Sequence, residues 1–273
     1  MRRTFLDDPL QKAFAETGYV VIPCLDPSEV KRLRELFEQF NPAPQKGFQV
    51  SLFTHPPAAR LAMSNEMNRA LESSISRDFD NYRFVVGSFV VKWPGVESEV
   101  AVHQDWAFVD ETRFSSVNIW CPLVDTDEHN GTLCVVPGSH RVIPNWFRGS
   151  PPILSNRSPF EGLKKEIALR HGVEIPLRAG DAIAYNHSLL HFSQPNGSTE
   201  PRIAVAGTVV PREATLLHHF LLETGQVETF EVTEEFLATF EIGKRPQGMK
   251  CLGQQAQEIR PVSLEAFDAI HSR

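Results

Sequence analysis

The sequence has 273 residues, a formal net charge of −7 and 41% hydrophobic residues. This is enough apolar material for a sizeable core. The acidic balance, with Lys164-Lys165 as the only adjacent lysines, argues against a nucleic-acid partner. No run of about 20 apolar residues is present, so no membrane-spanning helix is expected.

The cysteines and the N-terminal residues indicate the cellular compartment in which the protein is expected. Cys24, Cys121, Cys134 and Cys251 are far apart and form no CxxC pair, so neither a zinc ribbon nor a redox dithiol is predicted. The first residues carry arginines without an apolar run behind them, unlike a signal peptide. We therefore expect a cytoplasmic, reducing setting, which suits free thiols.

The first third of the chain predicts helices around one short strand. Residues 9–17 have a helical pattern that stops at a glycine, and residues 19–23 are β-branched and read as a strand. A helix begins at the Asp-Pro pair after that strand and runs to about residue 40. Residues 41–57 contain four prolines and predict a long loop, and residues 58–77 predict another helix.

From Arg83 onward the pattern changes to short strands separated by Gly and Pro. Residues 84–93 are apolar on both faces, as in a buried strand. A final helix is predicted over 232–240. Further strands are predicted near 100–106, 115–124, 132–136, 173–178, 181–186, 188–193, 202–210, 215–222 and 226–231.

Many short strands after a helical start predict one domain over 1–273 with an all-β core and flanking α-helices. The compact solution is a double-stranded β-helix, the cupin-like jelly roll, with its core at about 83–231 and the N-terminal helices, 9–77, packed on one sheet. Residues 41–57 and 144–163 are long, aperiodic segments and are predicted to be lids.

A metal site is predicted from His103, Asp105 and His191. Two residues apart in an extended segment, His103 and Asp105 point to the same side, and a second histidine completes a two-His, one-carboxylate face that leaves coordination positions open for non-haem iron. His187 is a rival to His191, because the two would share a face of a continuous strand. Arg202 offers a planar fork for a distant carboxylate.

With these residues in order, the chain resembles the phytanoyl-CoA dioxygenase family of Fe(II)/2-oxoglutarate oxygenases. The resemblance covers roughly residues 10–215. The matching segments are GYVVIP at 18–23, VHQDW at 102–106, NIWCPL at 118–123, GTL at 131–133, VPGSH at 136–140, GD at 180–181, LLH at 189–191, PN at 195–196 and PR at 201–202.

The resemblance implies roles for individual residues. His103, Asp105 and His191 would hold Fe(II), and Arg202 would clamp 2-oxoglutarate with Ser193 beside it. Trp120 and Lys92 match positions bordering the cosubstrate. Candidates for the substrate pocket are Phe53, Gln104, Trp106, Phe108, His140 and Trp146.

The implied activity is hydroxylation, or another oxidation, of an aliphatic C–H in a small-molecule metabolite, with O₂ consumed and succinate and CO₂ released. Halogenating relatives have a small residue in place of the carboxylate ligand, so Asp105 favours hydroxylation. Two alternatives stay open: a zinc hydrolase with the same three ligands, and a non-catalytic jelly-roll binding protein. The sequence does not identify the substrate or the oligomeric state.

Overall fold

The computed structural model describes residues 2–143, 146–150, 158–256 and 259–270. Asp7 and Asp26 cap the first two helices through their side chains, as the sequence predicts for the second. The α-helices are α1 Asp8–Thr17, α2 Pro27–Phe40, α3 Ser51–Thr54, α4 Pro57–Asp78, α5 Lys164–His171, α6 Glu234–Thr239 and α7 Leu264–Asp268.

Thirteen strands are found in the described parts of the chain. They are β1 Tyr19–Pro23, β2 Phe48–Val50, β3 Tyr82–Lys92, β4 Val100–His103, β5 Val117–Pro122, β6 Leu133–Val135, β7 Val173–Ile175, β8 Asp181–Asn186, β9 His191–Ser193, β10 Arg202–Pro211, β11 Leu217–Leu221, β12 Gln226–Glu231 and β13 Lys250–Ala256.

Two antiparallel sheets form the jelly roll. The larger has the order β1-β8-β5-β10-β3-β2 and the smaller the order β4-β9-β6-β7, while β11, β12 and β13 form a third sheet. Helix α4 packs on β3 and β10, which places a predicted helix against the larger sheet. The predicted fold class, a jelly roll with flanking helices, is confirmed.

Strand alternation divides the larger sheet into a helix-covered face and an inner face. On β5, Val117, Ile119 and Cys121 join the core beneath the helices, whereas Trp120 joins the core between the sheets. The same alternation puts Tyr185 of β8 on the inner face. Polar side chains at inner positions therefore face the smaller sheet, where the predicted ligands lie.

Three sequence predictions differ from the structure, and α5, β13 and α7 were not predicted. The segment 41–57, predicted to be a loop, contains β2 and α3, and β2 pairs with β3 at the edge of the larger sheet. The predicted strand 188–193 is a strand only from His191, because 187–189 form a turn. The strand predicted over 100–106 ends at His103, so Asp105 lies on the following loop.

The second predicted lid, 144–163, lies partly outside the described residues, which omit 144–145 and 151–157. Its part at 146–150 lies against β11, where Ser150 and His219 share a backbone hydrogen bond of 2.9 Å. Among the helices of the described residues, none combines the length and apolarity needed to cross a membrane.

Candidate metal centre

Three side chains converge between the two sheets. His103 ends β4, His191 begins β9, and these two residues are register partners in the smaller sheet. Asp105 lies two residues beyond the end of β4. One ligand atom from each of the three residues lies within 4.8 Å of the others. The structure therefore brings together the three residues predicted to bind a metal.

Backbone carbonyls orient both imidazoles. Nδ1 of His103 donates to the Ala101 carbonyl at 2.9 Å, and Nδ1 of His191 donates to the Leu189 carbonyl at 3.0 Å. In a neutral imidazole this tautomer leaves Nε2 with a free lone pair. Both rings are thus arranged as metal ligands usually are, with the second nitrogen hydrogen-bonded to the protein.

The carboxylate of Asp105 is held by the larger sheet. Its Oδ2 accepts from Asn118 Nδ2 at 3.0 Å and from the Tyr185 hydroxyl at 3.1 Å. Its Oδ1 lies 3.5 Å from Nε2 of His191. One oxygen is therefore fixed by the protein, and the other faces the histidines.

The protonation states of Asp105 and His103 suit a divalent cation. Burial tends to raise the pKa of Asp105, but His191 and the other nearby histidines outweigh it and hold that pKa well below its usual value. Burial and the neighbouring His191 lower the pKa of His103 to about 4. A carboxylate and a neutral imidazole are the forms in which these side chains ligate metals. Burial tends to lower the pKa of His191, but Asp105 outweighs it and raises that pKa, so a bound metal would displace a proton from this imidazole.

Arg202 is a buried cation beside this cluster. It is 2% exposed, and its guanidinium lies 5.0 Å from the centroid of the Trp120 ring. Its Nε has no hydrogen-bond partner, and within the described residues no acidic side chain pairs with it. Burial lowers its pKa to about 9. An unpaired buried guanidinium is costly, and an anionic ligand would offset that cost.

A cavity of about 260 Å³ contains the metal cluster and Arg202. It brings together most of the predicted site residues. The lining includes the predicted Phe53, His103, Gln104, Asp105, Trp106, Phe108, Trp120, His191, Ser193 and Arg202.

Three predicted residues lie outside the lining of this cavity. Lys92 is fully buried, and its Nζ donates to the backbone carbonyls of Ser98, Ser193 and Gln194. His140 lies 3.3 Å from the Ala15 carbonyl. Trp146 Nε1 donates to Oε1 of Gln104, a lining residue, at 2.8 Å. These positions give Lys92 a contact with the backbone of the predicted Ser193 rather than with the cavity.

The matches to known proteins agree with this geometry. The sequence model of the family described as phytanoyl-CoA dioxygenase (PhyH) matches residues 14–204. The chain belongs to this family. The predicted resemblance is confirmed, and the match contains all three candidate metal ligands and Arg202.

Curated relatives match part of this PhyH chain. The phytanoyl-CoA dioxygenase of Arabidopsis thaliana is 32% identical over 124 residues, which cover 45% of this chain and 42% of that protein. The ectoine dioxygenase of Halomonas elongata is 35% identical over 91 residues, covering 29% and 27%. The match to the Arabidopsis protein thus spans less than half of its length.

Solved structures share the fold of the PhyH chain. The α-ketoglutarate-dependent carbocyclase SnoK from nogalamycin biosynthesis aligns with a TM-score of 0.55 at 20% identity, covering 77% of this chain and 86% of SnoK. HygX from Streptomyces hygroscopicus, solved with nickel and 2-oxoglutarate, aligns at 0.52 and 19% identity, covering 76% and 88%.

Sequence reasoning missed the supports of Asp105. Asn118 is two residues from Trp120 on β5, so strand alternation could have placed it on the inner face. Tyr185 gave no such signal, because a tyrosine in an apolar strand is usually part of the core. The structure also places His187 in the cavity lining, with Nδ1 bonded to the Trp106 carbonyl at 2.9 Å.

Proposed function

We propose that this PhyH protein is an Fe(II)/2-oxoglutarate-dependent dioxygenase that oxidises an aliphatic C–H of a small molecule. The observation that carries the proposal is the unpaired, buried Arg202 in the same cavity as a two-His, one-carboxylate cluster. Metal binding by itself gives no role to a buried arginine beside the ligands. A cosubstrate that binds the metal at one end and carries a carboxylate at the other end gives Arg202 a partner.

The residues of the chain have distinct tasks in this account. His103, Asp105 and His191 would hold Fe(II), and Arg202 would receive the distal carboxylate of 2-oxoglutarate beside Trp120 and Ser193. When bound there, iron and 2-oxoglutarate supply the oxidation of the substrate with O₂, releasing succinate and CO₂. The protein binds, orients and shields the reactants. Asp105, as a carboxylate ligand, favours hydroxylation over halogenation.

The cavity favours an uncharged, mainly apolar substrate. Arg202, Ala206 and Thr208 lie on one face of β10 and line the cavity, so it extends about 20 Å along this strand. A five-carbon diacid fills only the part nearest Arg202. Among the described lining residues, the ordinarily charged side chains are Asp105 and Arg202, and both are assigned to the iron and its cosubstrate.

Aromatic side chains border the rest of the cavity. Phe53 is 49% exposed, and its ring centroid lies 6.1 Å from that of Trp106. Phe48 and Phe108 also line the space. A neutral natural-product intermediate fits such walls, whereas the ammonium group of a free amino acid would find no carboxylate partner other than Asp105.

Succinate release measured over metabolite classes tests this substrate class. Neutral apolar compounds are expected to stimulate 2-oxoglutarate turnover, and zwitterionic amino acids are not. Stimulation by amino acids alone would contradict the proposed substrate class while leaving the reaction class intact.

The reaction class itself is tested by oxygen dependence. We expect purified protein with Fe(II) and 2-oxoglutarate to consume O₂ and release succinate. A zinc hydrolase would act without O₂ and would leave Arg202 without a role. A non-catalytic binding protein would release no succinate above background. Either result would contradict the proposal.

We also propose the cytoplasm as the location. The cysteines of the described residues, Cys24, Cys121, Cys134 and Cys251, are all free thiols. Free thiols and Fe(II) both suit a reducing compartment.

A further inference from the structure

The backbone of Asp105 is held by hydrogen bonds from outside the β-sheet. Strand β4 ends at His103, so the backbone of Asp105 is outside the sheet hydrogen bonding. Its amide donates to the His187 carbonyl at 3.1 Å, and its carbonyl accepts from Nε of Arg148 at 2.6 Å. These two contacts fix the main chain from which the carboxylate ligand projects.

Arg148 is itself held by a buried acid. Its Nη1 and Nη2 donate to Glu111 at 2.9 and 2.5 Å, and the two side chains are 3% and 9% exposed. Ser188, in the turn that follows β8, donates to the same carboxylate at 3.1 Å. A bidentate pair of this kind restricts the guanidinium to one plane, and its remaining Nε–H then points to the Asp105 carbonyl.

The neighbours of Arg148 hold the residue before Asp105. Trp146 Nε1 donates to Gln104 Oε1 at 2.8 Å, and Gln104 Nε2 donates to the Ser188 carbonyl at 2.6 Å. The Ala107 amide donates to the Arg148 carbonyl at 3.1 Å. Residues 146–148 are therefore hydrogen-bonded to residues 104–107 at three points.

The segment that carries Arg148 is anchored in turn to the third sheet. Ser150 exchanges backbone hydrogen bonds of 2.9 Å with His219 and Leu221 of β11. A Cβ on Gly149 would lie 2.0 Å from the His219 carbonyl oxygen, so the backbones touch here. This contact holds the backbone next to Arg148 against β11.

We propose that Arg148 and Glu111 are a positioning pair for the carboxylate ligand of the metal. The pair sets the main chain of Asp105 and so the direction of its Oδ1, while Asn118 and Tyr185 fix Oδ2. Neither Arg148 nor Glu111 touches the reacting atoms. The inference rests on the proposed function, because it assigns the pair a task in metal binding.

The test uses a double variant that removes both charges, Arg148→Met with Glu111→Leu. Replacing a whole buried ion pair by apolar residues is often neutral for stability, so the fold is expected to persist with a thermal midpoint close to that of the wild type. The hydrogen bond to Asp105 is lost. We expect Mn(II) to bind about 10- to 100-fold more weakly, the range found when partners of metal ligands are removed.

A control pair joins β12 of the third sheet to the loop that follows α6. Arg245 and Glu228 form a second bidentate pair, with N–O distances of 2.6 and 3.0 Å. Arg245→Met with Glu228→Leu is expected to leave Mn(II) affinity unchanged. If the first double variant fails to fold, Arg148→Lys replaces it: lysine keeps the charge opposite Glu111 but lacks the fork that reaches both partners, so Mn(II) affinity is still expected to fall.

A second readout is the visible charge-transfer band of the anaerobic Fe(II)–2-oxoglutarate complex. We expect this band to shift in the Arg148 variants and to stay in place in the control. Wild-type Mn(II) affinity in the folded Arg148 variants, or an equal loss in the control, would overturn the positioning role alone. Absence of the band in the wild-type protein would overturn the proposed function and this inference together.

Discussion

At the scale of single residues, each metal-binding side chain is oriented by hydrogen bonds, and the partners of the Asp105 carboxylate come from another part of the fold. Tyr185 shows this most simply, because its hydroxyl holds Asp105 Oδ2 at 3.1 Å. Burial and the nearby Asp105 raise the pKa of this phenol well above its usual value. It therefore remains protonated and donates to the carboxylate at any pH at which the enzyme would work.

Replacing Tyr185 with Phe tests that contact. We expect Tyr185→Phe to weaken Mn(II) binding by about tenfold, because one partner of a metal ligand is lost. Titration calorimetry measures the affinity. The control is Tyr82→Phe, since Tyr82 is also buried but its hydroxyl bonds Ser115 and Thr4. Equal Mn(II) affinity in both variants would contradict the role of Tyr185.

Arg202 predicts opposite effects on stability and on binding. Arg202→Leu removes a buried charge that has no carboxylate partner among the described residues, so the ligand-free protein is expected to melt at a higher temperature. The same change is expected to weaken 2-oxoglutarate binding by about 30-fold or more, because a desolvated ion pair is no longer formed. A stable variant with unchanged 2-oxoglutarate affinity would show that Arg202 does not hold the cosubstrate.

At the scale of elements, the close approach of 146–150 to β11 gives a prediction for Gly149. A Cβ there would meet the His219 backbone, so Gly149→Ala is expected to displace the segment and to cost about 1–3 kcal/mol of stability. Mn(II) affinity should fall with it, since Arg148 moves. Chemical denaturation and metal titration measure the two effects.

Gly162 provides the comparison for Gly149. A Cβ added to Gly162 has no neighbour within 4 Å in the described part of the chain, so Gly162→Ala is expected to leave both stability and metal affinity unchanged. A Gly149→Ala variant as stable as Gly162→Ala would contradict the close contact with β11.

Some helices and strands could be predicted from the sequence and others could not. Periodicity and caps located α1, α2, α4 and most strands, because each pattern is local. Strand β2 and helix α3 lie in a proline-rich stretch without periodicity, and the pairing of β2 with β3 is a tertiary effect. The pair Arg148 and Glu111 was not predicted, because two loop residues 37 positions apart share no sequence pattern.

At the scale of the whole molecule, buried histidines predict sensitivity to acid. Burial lowers the pKa of both His218 and His219 to about 4. Between pH 6.5 and 4 the unfolded chain binds protons that the folded protein does not, so stability is present above pH 6.5 and falls as the pH drops towards 4. A pKa lowered this far corresponds to a loss of about 3 kcal/mol in the free energy of unfolding for each group, over the full pH range.

His218 isolates one of these contributions. Its ring packs among Trp106, Phe236 and Phe240, and within the described residues its Nε2 has no hydrogen-bond partner. We expect His218→Phe to reduce the loss of stability between pH 6.5 and 4 while keeping stability at pH 7.5. Denaturant unfolding across this pH range measures it, and an unchanged pH profile would contradict the account.

The central claim concerns the whole cavity: three ligands and one arginine form a site for iron and 2-oxoglutarate. The most direct measurement is the visible spectrum of the protein mixed anaerobically with Fe(II) and 2-oxoglutarate. We predict a metal-to-ligand charge-transfer band in the wild-type protein that is absent in His103→Ala. A wild-type protein without this band, or a band that persists in His103→Ala, would contradict the claim.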